Sequence, residues 1–140
     1  MLSEPVALPP GAHTWTAAER ELAAEVLEGH TVVVNVRKGG PHRRLVPWFV
    51  EAGLLTYVGH DGPRHAWSRS DFANPFLGLR NDRVEMVQRY RDWLTGRPAL
   101  LARLRDGELT GRALGCWCAP DGCHADILAE LAVAAPVIDR

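Results

Sequence analysis

RALGCWCAPDGCHADILAELA, residues 112–132, decides the fold, because a strand pattern passes into a helix pattern within it. Arg112 to Cys118 reads as a strand. Residues two apart on a strand share a side, so Cys116 and Cys118 face one way and Trp117 the other. Ala119 and Pro120 end the strand, and Asp121 suits the N-cap of a helix. Residues 123–135, CHADILAELAVAA, read as that helix, closed by Pro136. Its first turn holds Cys123 and His124, where the partial positive charge of a helix N-terminus is expected to lower the Cys123 pKa.

Working outward, TVVVNVR (31–37) is a β-branched run suited to a buried strand, and LLTYVGH (54–60) reads as another. Between them lie a glycine-rich basic turn, KGGPHRR (38–44), and a short helix in LVPWFVEAG, with Pro47 in its first turn and Gly53 at its end. Upstream, Thr16 to Glu19 forms a capping box opening a helix that stops at Gly29. Downstream, Asp82 and Glu85 cap a helix over residues 83–95 that ends at Gly96, and Pro98 opens a further helix through Leu104.

Strands alternating with helices predict an α/β fold: one compact domain with a short, mainly parallel sheet of three to four strands flanked by helices. A mixed α+β fold is the alternative. Residues 1–13, with Pro5, Pro9, Pro10 and Gly11, read as an irregular lead-in, and 14–140 as the globular domain. Residues 61–80 lack periodicity; a loop of that length in a small domain is more often functional than passive. Its Trp67, Phe72 and Phe76 argue for packing over disorder.

The bulk numbers narrow the classes. The chain has 140 residues, a length that suits one core. A net charge of −1 gives no overall attraction to nucleic acid or membrane, so anion binding must be local. No apolar run approaches the ~20 residues of a membrane span, and the N-terminus does not read as a signal peptide. A cytoplasmic location is therefore expected. There, cysteines read as metal-binding or catalytic before they read as disulfides, and an odd count of three cannot all pair within one chain.

Three chemistries fit the cysteine segment. Zinc would take Cys116, Cys118 and Cys123, with His124, another histidine or water as the fourth ligand. Adjacent helical residues diverge, so Cys123 and His124 share an ion only in an irregular turn. An iron–sulfur cluster on three cysteines would leave one iron open. Metal-free chemistry would use Cys123 or Cys118 as nucleophile with a histidine base, and Asp126 as a weakly placed partner for His124. Against all three stands inert burial, common for cysteine.

Other candidates surround the strand ends. Asn35 interrupts an apolar strand and needs partners for its amide. Arg37 precedes Gly39 and Gly40, a flexible basic turn that can hold phosphate but lacks a P-loop signature. Asn74 precedes Pro75 in a turn, and in the functional reading faces the same pocket as Asn35. His60, Asp61 and His65 follow the second strand as possible ligands or bases. Tyr90 and Trp93 read most simply as core. The combination suits a small polar or nucleotide-like ligand. An enzyme with a catalytic metal and a binding module with a structural zinc are the two classes, separated by whether a fourth side chain closes the metal sphere.

Several stretches together carry a resemblance: VVNVR (33–37), TYVGH (56–60), NPF (74–76), VEMVQRYRDWL (84–94), LLARL (100–104) and GRALGCWCAPDGCHADILAELA (111–132). Over most of residues 31–133 the chain resembles the bacterial, archaeal and phage proteins grouped as domain of unknown function 4326. The last block is specific; the others matter by their order. The resemblance implies a compact α/β-type domain and ties Asn35, Asn74 and Cys116 to Asp126 into a shared pattern, without implying a reaction. Two departures stand out. His60 occupies the position of the family's arginine after Gly59, and Phe72-Ala73 replaces its tryptophan-glycine before Asn74.

Overall fold

In a computed structural model the described residues are 8–60, 67–76, 78, 82–119 and 122–134. They form three strands and five α-helices in the order α1 (Ala17–Leu27), β1 (Val32–Asn35), α2 (Val46–Glu51), β2 (Leu55–Tyr57), α3 (Arg83–Thr95), α4 (Pro98–Arg105), β3 (Ala113–Cys116) and α5 (His124–Ala134). The strand order is β1-β3-β2 and both pairings are parallel, so the last strand fills the centre. Asn35 pairs with Cys116 and Tyr57 with Gly115, which aligns the C-terminal ends of all three strands. This is the expected α/β domain.

Period-two alternation sorts the strands into two faces. Val32, Val34, Val36 and Ala113 pack with Trp15, Ala23, Val26, Leu45 and Phe49 under α1 and α2. Leu114 and Cys116 face the other way, into a core with Met86, Tyr90, Leu94, Leu104 and Leu128 from α3, α4 and α5. The sheet is thus sandwiched between helical layers. Each fully buried side chain of this size adds roughly 1.5–3 kcal/mol. Gly115 permits the close approach at the centre: a Cβ there would lie 2.8 Å from Val36 Cγ1.

The local signals act as expected. Thr16 caps α1 in a reciprocal box with Glu19, and Asp82 accepts the Glu85 N–H to open α3. Gly29 and Gly53 take left-handed conformations after α1 and α2, with φ of 95° and 72°. The end of the expected lead-in is ordered. Pro10–Thr14 forms a 3₁₀ helix that buries Ala12, and Trp15 packs on Trp48 with ring centroids 5.5 Å apart. Among the described residues no helix is long and apolar enough to cross a membrane.

Candidate functional site

The aligned strand ends gather the cysteines and Asn35. Cys116 closes β3 on the α5 side and is 2 % exposed; Trp117 turns to the opposite layer, as the alternation requires. Cys123 immediately precedes α5 and is 1 % exposed. Its Sγ lies 3.4 Å from Cys116 Sγ, and it hydrogen-bonds Cys118 as well. Cys123 is therefore the middle member of a three-sulfur cluster, and Cys118 is the half-buried outer member.

The cluster divides its protons unevenly. The Cys123 thiol donates to Cys116 and, with the backbone N–H groups of Cys118 and Ala119, holds the Cys116 thiol below its ordinary range despite burial. Cys123 itself is pushed up, by its bonds to Cys116 and Cys118 and by burial. The expectation of a lowered Cys123 is thus reversed. When such a dry cluster loses a proton, the main-chain donors of the turn favour the charge on Cys116. The helix N-terminus acts in the expected direction, through the Ala125 N–H, but the bonds to the two other sulfurs and burial outweigh it. The Asp126 carboxylate accepts the Cys123 N–H at 3.0 Å.

His124 turns away from the sulfurs at its Nε2, which donates to the Val58 carbonyl at 2.7 Å. Its ring meets Tyr90 edge-on at 5.0 Å. Burial lowers its pKa to about 4, with a small contribution from His60, so it is neutral at pH 7. Asp126 serves the Cys123 backbone instead of orienting this imidazole. Among the described residues no group of three or more His, Cys, Asp or Glu side chains stands at metal-holding spacing.

Asn35 is buried and fully engaged. Its Nδ2 donates to the Ala119 carbonyl at 2.8 Å and the Trp117 carbonyl at 3.4 Å, and its Oδ1 accepts the Arg37 N–H at 2.9 Å. Its own N–H donates to His42 Nδ1 at 2.8 Å. Asn35 thus ties the end of β1 to the cysteine turn. Beside it opens a cavity of about 420 Å³ lined by Asn35, Arg37, Gly39, Gly40, Arg83 and Cys118, among others. Arg37 also lines a second cavity of about 670 Å³, with Lys38, Arg43, Val46, Pro47 and Trp67. Arg44 points elsewhere, donating to the Thr14 carbonyl at 3.0 Å.

His60 and Asn74 meet each other away from that cavity's lining. His60 Nε2 donates to the Asn74 carbonyl at 2.5 Å, and Arg69 donates to His60 Nδ1 at 3.0 Å. Asn74 Oδ1 accepts the Phe76 N–H at 2.8 Å, an Asx turn. The pair ties His60, just after β2, to residue 74. Tyr90 is core, its hydroxyl donating to the Phe72 carbonyl at 2.7 Å. Asp61, His65 and Asp121 lie outside the described residues.

Three residues were not legible as site or support. Arg83 reaches the cavity from the start of α3 and donates to the Gly122 carbonyl at 2.7 Å. His42 looked like part of a basic turn but is buried against Asn35. Glu19 looked like a capping residue alone. Its carboxylate also accepts the N–H groups of Arg44 and Leu45, at 2.9 and 3.1 Å. A mid-strand asparagine needing partners was the one available signal for His42; none pointed to Arg83.

A family model described as domain of unknown function (DUF4326) matches residues 43–134. That span contains the cysteine segment, His60 and Asn74, and begins after Asn35 and Arg37. No curated protein and no solved structure matches the chain.

Proposed function

The chain belongs to the family described as domain of unknown function (DUF4326), and from the geometry of its strand ends we propose that it binds a small anionic, nucleotide-like ligand there. The observation that carries this reading is the shared lining: Arg37, Arg83, the Gly39-Gly40 turn and Cys118 border one cavity at the C-terminal edge of a parallel sheet. Open parallel sheets hold ligands at that edge. The Gly40 N–H is given to the Arg37 carbonyl, so the glycine turn contributes close approach of the backbone, and the two guanidiniums supply charge and directional donors. The neighbouring cavity adds Lys38, Arg43, one carboxylate (Glu51) and an apolar floor of Val46 and Pro47 beside the Trp67 indole, a lining that suits a planar base beside a phosphate held by the cations. The two cavities share Arg37.

The test is calorimetric titration of the protein with ADP, inorganic phosphate and adenosine. ADP binds most tightly, adenosine least, and Arg37→Ala weakens ADP by about tenfold or more, the effect of losing a charged hydrogen bond. Absence of binding by both ADP and phosphate at millimolar concentration, or an Arg37→Ala variant with unchanged ADP affinity, overturns the reading.

A further inference from the structure

We propose that Cys116, Cys118 and Cys123 form a thiol–disulfide exchange centre, in which Cys118 receives a low-molecular-weight disulfide and the oxidation comes to rest as a Cys116–Cys123 bond. The inference stands on the arrangement of the sulfurs and goes beyond the proposed anion ligand.

Three features carry it. First, accessibility is graded: Cys118 is half-buried and borders a cavity, whereas Cys116 and Cys123 are 2 % and 1 % exposed. Second, Cys123 hydrogen-bonds both other sulfurs, so it can pass a bond from one to the other with little movement. Third, the Cys116 sulfur accepts main-chain N–H bonds from Cys118 and Ala119, which suits it to act as the final nucleophile. An inert packing cluster needs neither the outward Cys118 nor donors aimed at one sulfur.

The steps balance. The Cys118 sulfur attacks a disulfide RSSR; a Cys118–SR bond forms, and the departing RS⁻ takes the Cys118 proton. Cys123 then hands its proton across its hydrogen bond to the Cys116 sulfur and attacks the Cys118 sulfur, forming Cys118–Cys123; the second RS⁻ departs and takes that proton, leaving Cys116 as the thiolate. The Cys116 thiolate attacks the Cys123 sulfur, forming Cys116–Cys123, and Cys118 departs as the thiolate. Two RSH are produced, the protein is oxidised by two electrons, and Cys118 inherits the negative charge that Cys116 held. Excess RSH reverses the sequence.

The experiment treats the reduced wild-type protein with oxidised glutathione, quenches it with N-ethylmaleimide and counts alkylated thiols by mass. Three alkylations fall to one; peptide mapping finds Cys116 linked to Cys123 and Cys118 alkylated; dithiothreitol restores three. Cys118→Ser, a change at the half-buried position, slows formation of the link by about tenfold or more, while diamide still closes it. Three outcomes overturn the proposal: three thiols persisting after oxidation, a glutathione adduct retained on Cys118 with the other two thiols free, or Cys118→Ser reacting at the wild-type rate. Stoichiometric zinc in the purified protein that Cys118→Ser removes also overturns it, since the sulfurs would then be metal ligands. Loss of ADP binding in the cleft leaves all these outcomes unchanged.

Discussion

Each face of the sheet aims main-chain N–H donors at one buried acidic group, and the two differ in what surrounds them. Under α1 and α2 it is the Glu19 carboxylate, 1 % exposed, which accepts the N–H groups of Thr16, Arg44 and Leu45. Burial alone would raise its pKa, but these bonds and the Thr16 hydroxyl outweigh it and hold the carboxylate below its usual range. Under α5 it is the Cys116 sulfur, held by the N–H groups of Cys118 and Ala119 and by the Cys123 thiol. In both cases a turn fixes donors before the charge arrives, so little reorganisation is needed. The carboxylate is enclosed on all sides, joining α1 to the turn before α2. The sulfur is one contact from Cys118, which borders a cavity. The first arrangement fastens two segments; the second leaves the sulfurs connected, through Cys118, to a cavity.

The largest effect should come from breaking the enclosed member. Glu19→Ala leaves the N–H groups of Thr16, Arg44 and Leu45 without their acceptor, at roughly 1–3 kcal/mol for each that stays buried. A loss of about 4 kcal/mol is expected, read as a lower urea midpoint with an unchanged m-value. A loss below about 1 kcal/mol would show that water replaces the carboxylate and that the two faces are not so different.

Acid separates the faces next. His124 has a folded pKa of about 4 against an ordinary 6.5, because burial disfavours its charged form. Between those values the unfolded chain binds the proton and the folded chain does not. Stability therefore falls as pH drops below 6.5, and the loss is complete below about 4, with a ceiling of about 3 kcal/mol from this group. Glu19 acts lower: its stabilisation is present above 4.5 and is lost as pH falls through its depressed folded pKa. His42 is also lowered by burial, opposed by Glu19, and its Nδ1 must stay unprotonated to accept the Asn35 N–H. Urea midpoints between pH 7 and 4 should fall less steeply in His124→Gln than in wild type. Parallel curves would assign the slope to His42.

Much of this was readable beforehand, for reasons of range. Helix and strand periodicity, the Thr16 and Asp82 caps and the left-handed Gly29 and Gly53 are local effects, so residues close in sequence sufficed. Alternation placed Cys116 and Cys118 opposite Trp117, although the strand read as running to Cys118 ends at Cys116. What escaped depends on contacts across the fold. Nothing in residues 42–45 shows that Glu19 lies beneath them, and nothing near Asp82 shows that Arg83 reaches the strand ends. The sign of the Cys123 shift was inferred from the helix terminus, whose Ala125 N–H does lower it, whereas the bonds to Cys116 and Cys118 and burial outweigh that N–H. Asn35 drew notice because an amide in an apolar strand must be satisfied, but its partners, Trp117 and Ala119, lie on the far side of the sequence.

The smallest effect belongs to the same chemistry without enclosure. Asp71 accepts from Arg103 at 2.9 Å, and Arg103 also bonds Glu108 at 2.6 Å and covers the Phe72 ring at 4.9 Å. With the Asp71 side chain 75 % exposed, water competes for every bond that Glu19 keeps to itself. Asp71→Asn is expected to lower the unfolding free energy read from urea titration by no more than about 0.5 kcal/mol, and 1 M salt should erase most of that. The segment then owes its order to Phe72, which is 1 % exposed, and to the Tyr90 bond to the Phe72 carbonyl. A loss near that of Glu19→Ala would mean that enclosure is not what distinguishes a fastening carboxylate from a surface one, and the comparison would have to rest on the number of donors alone.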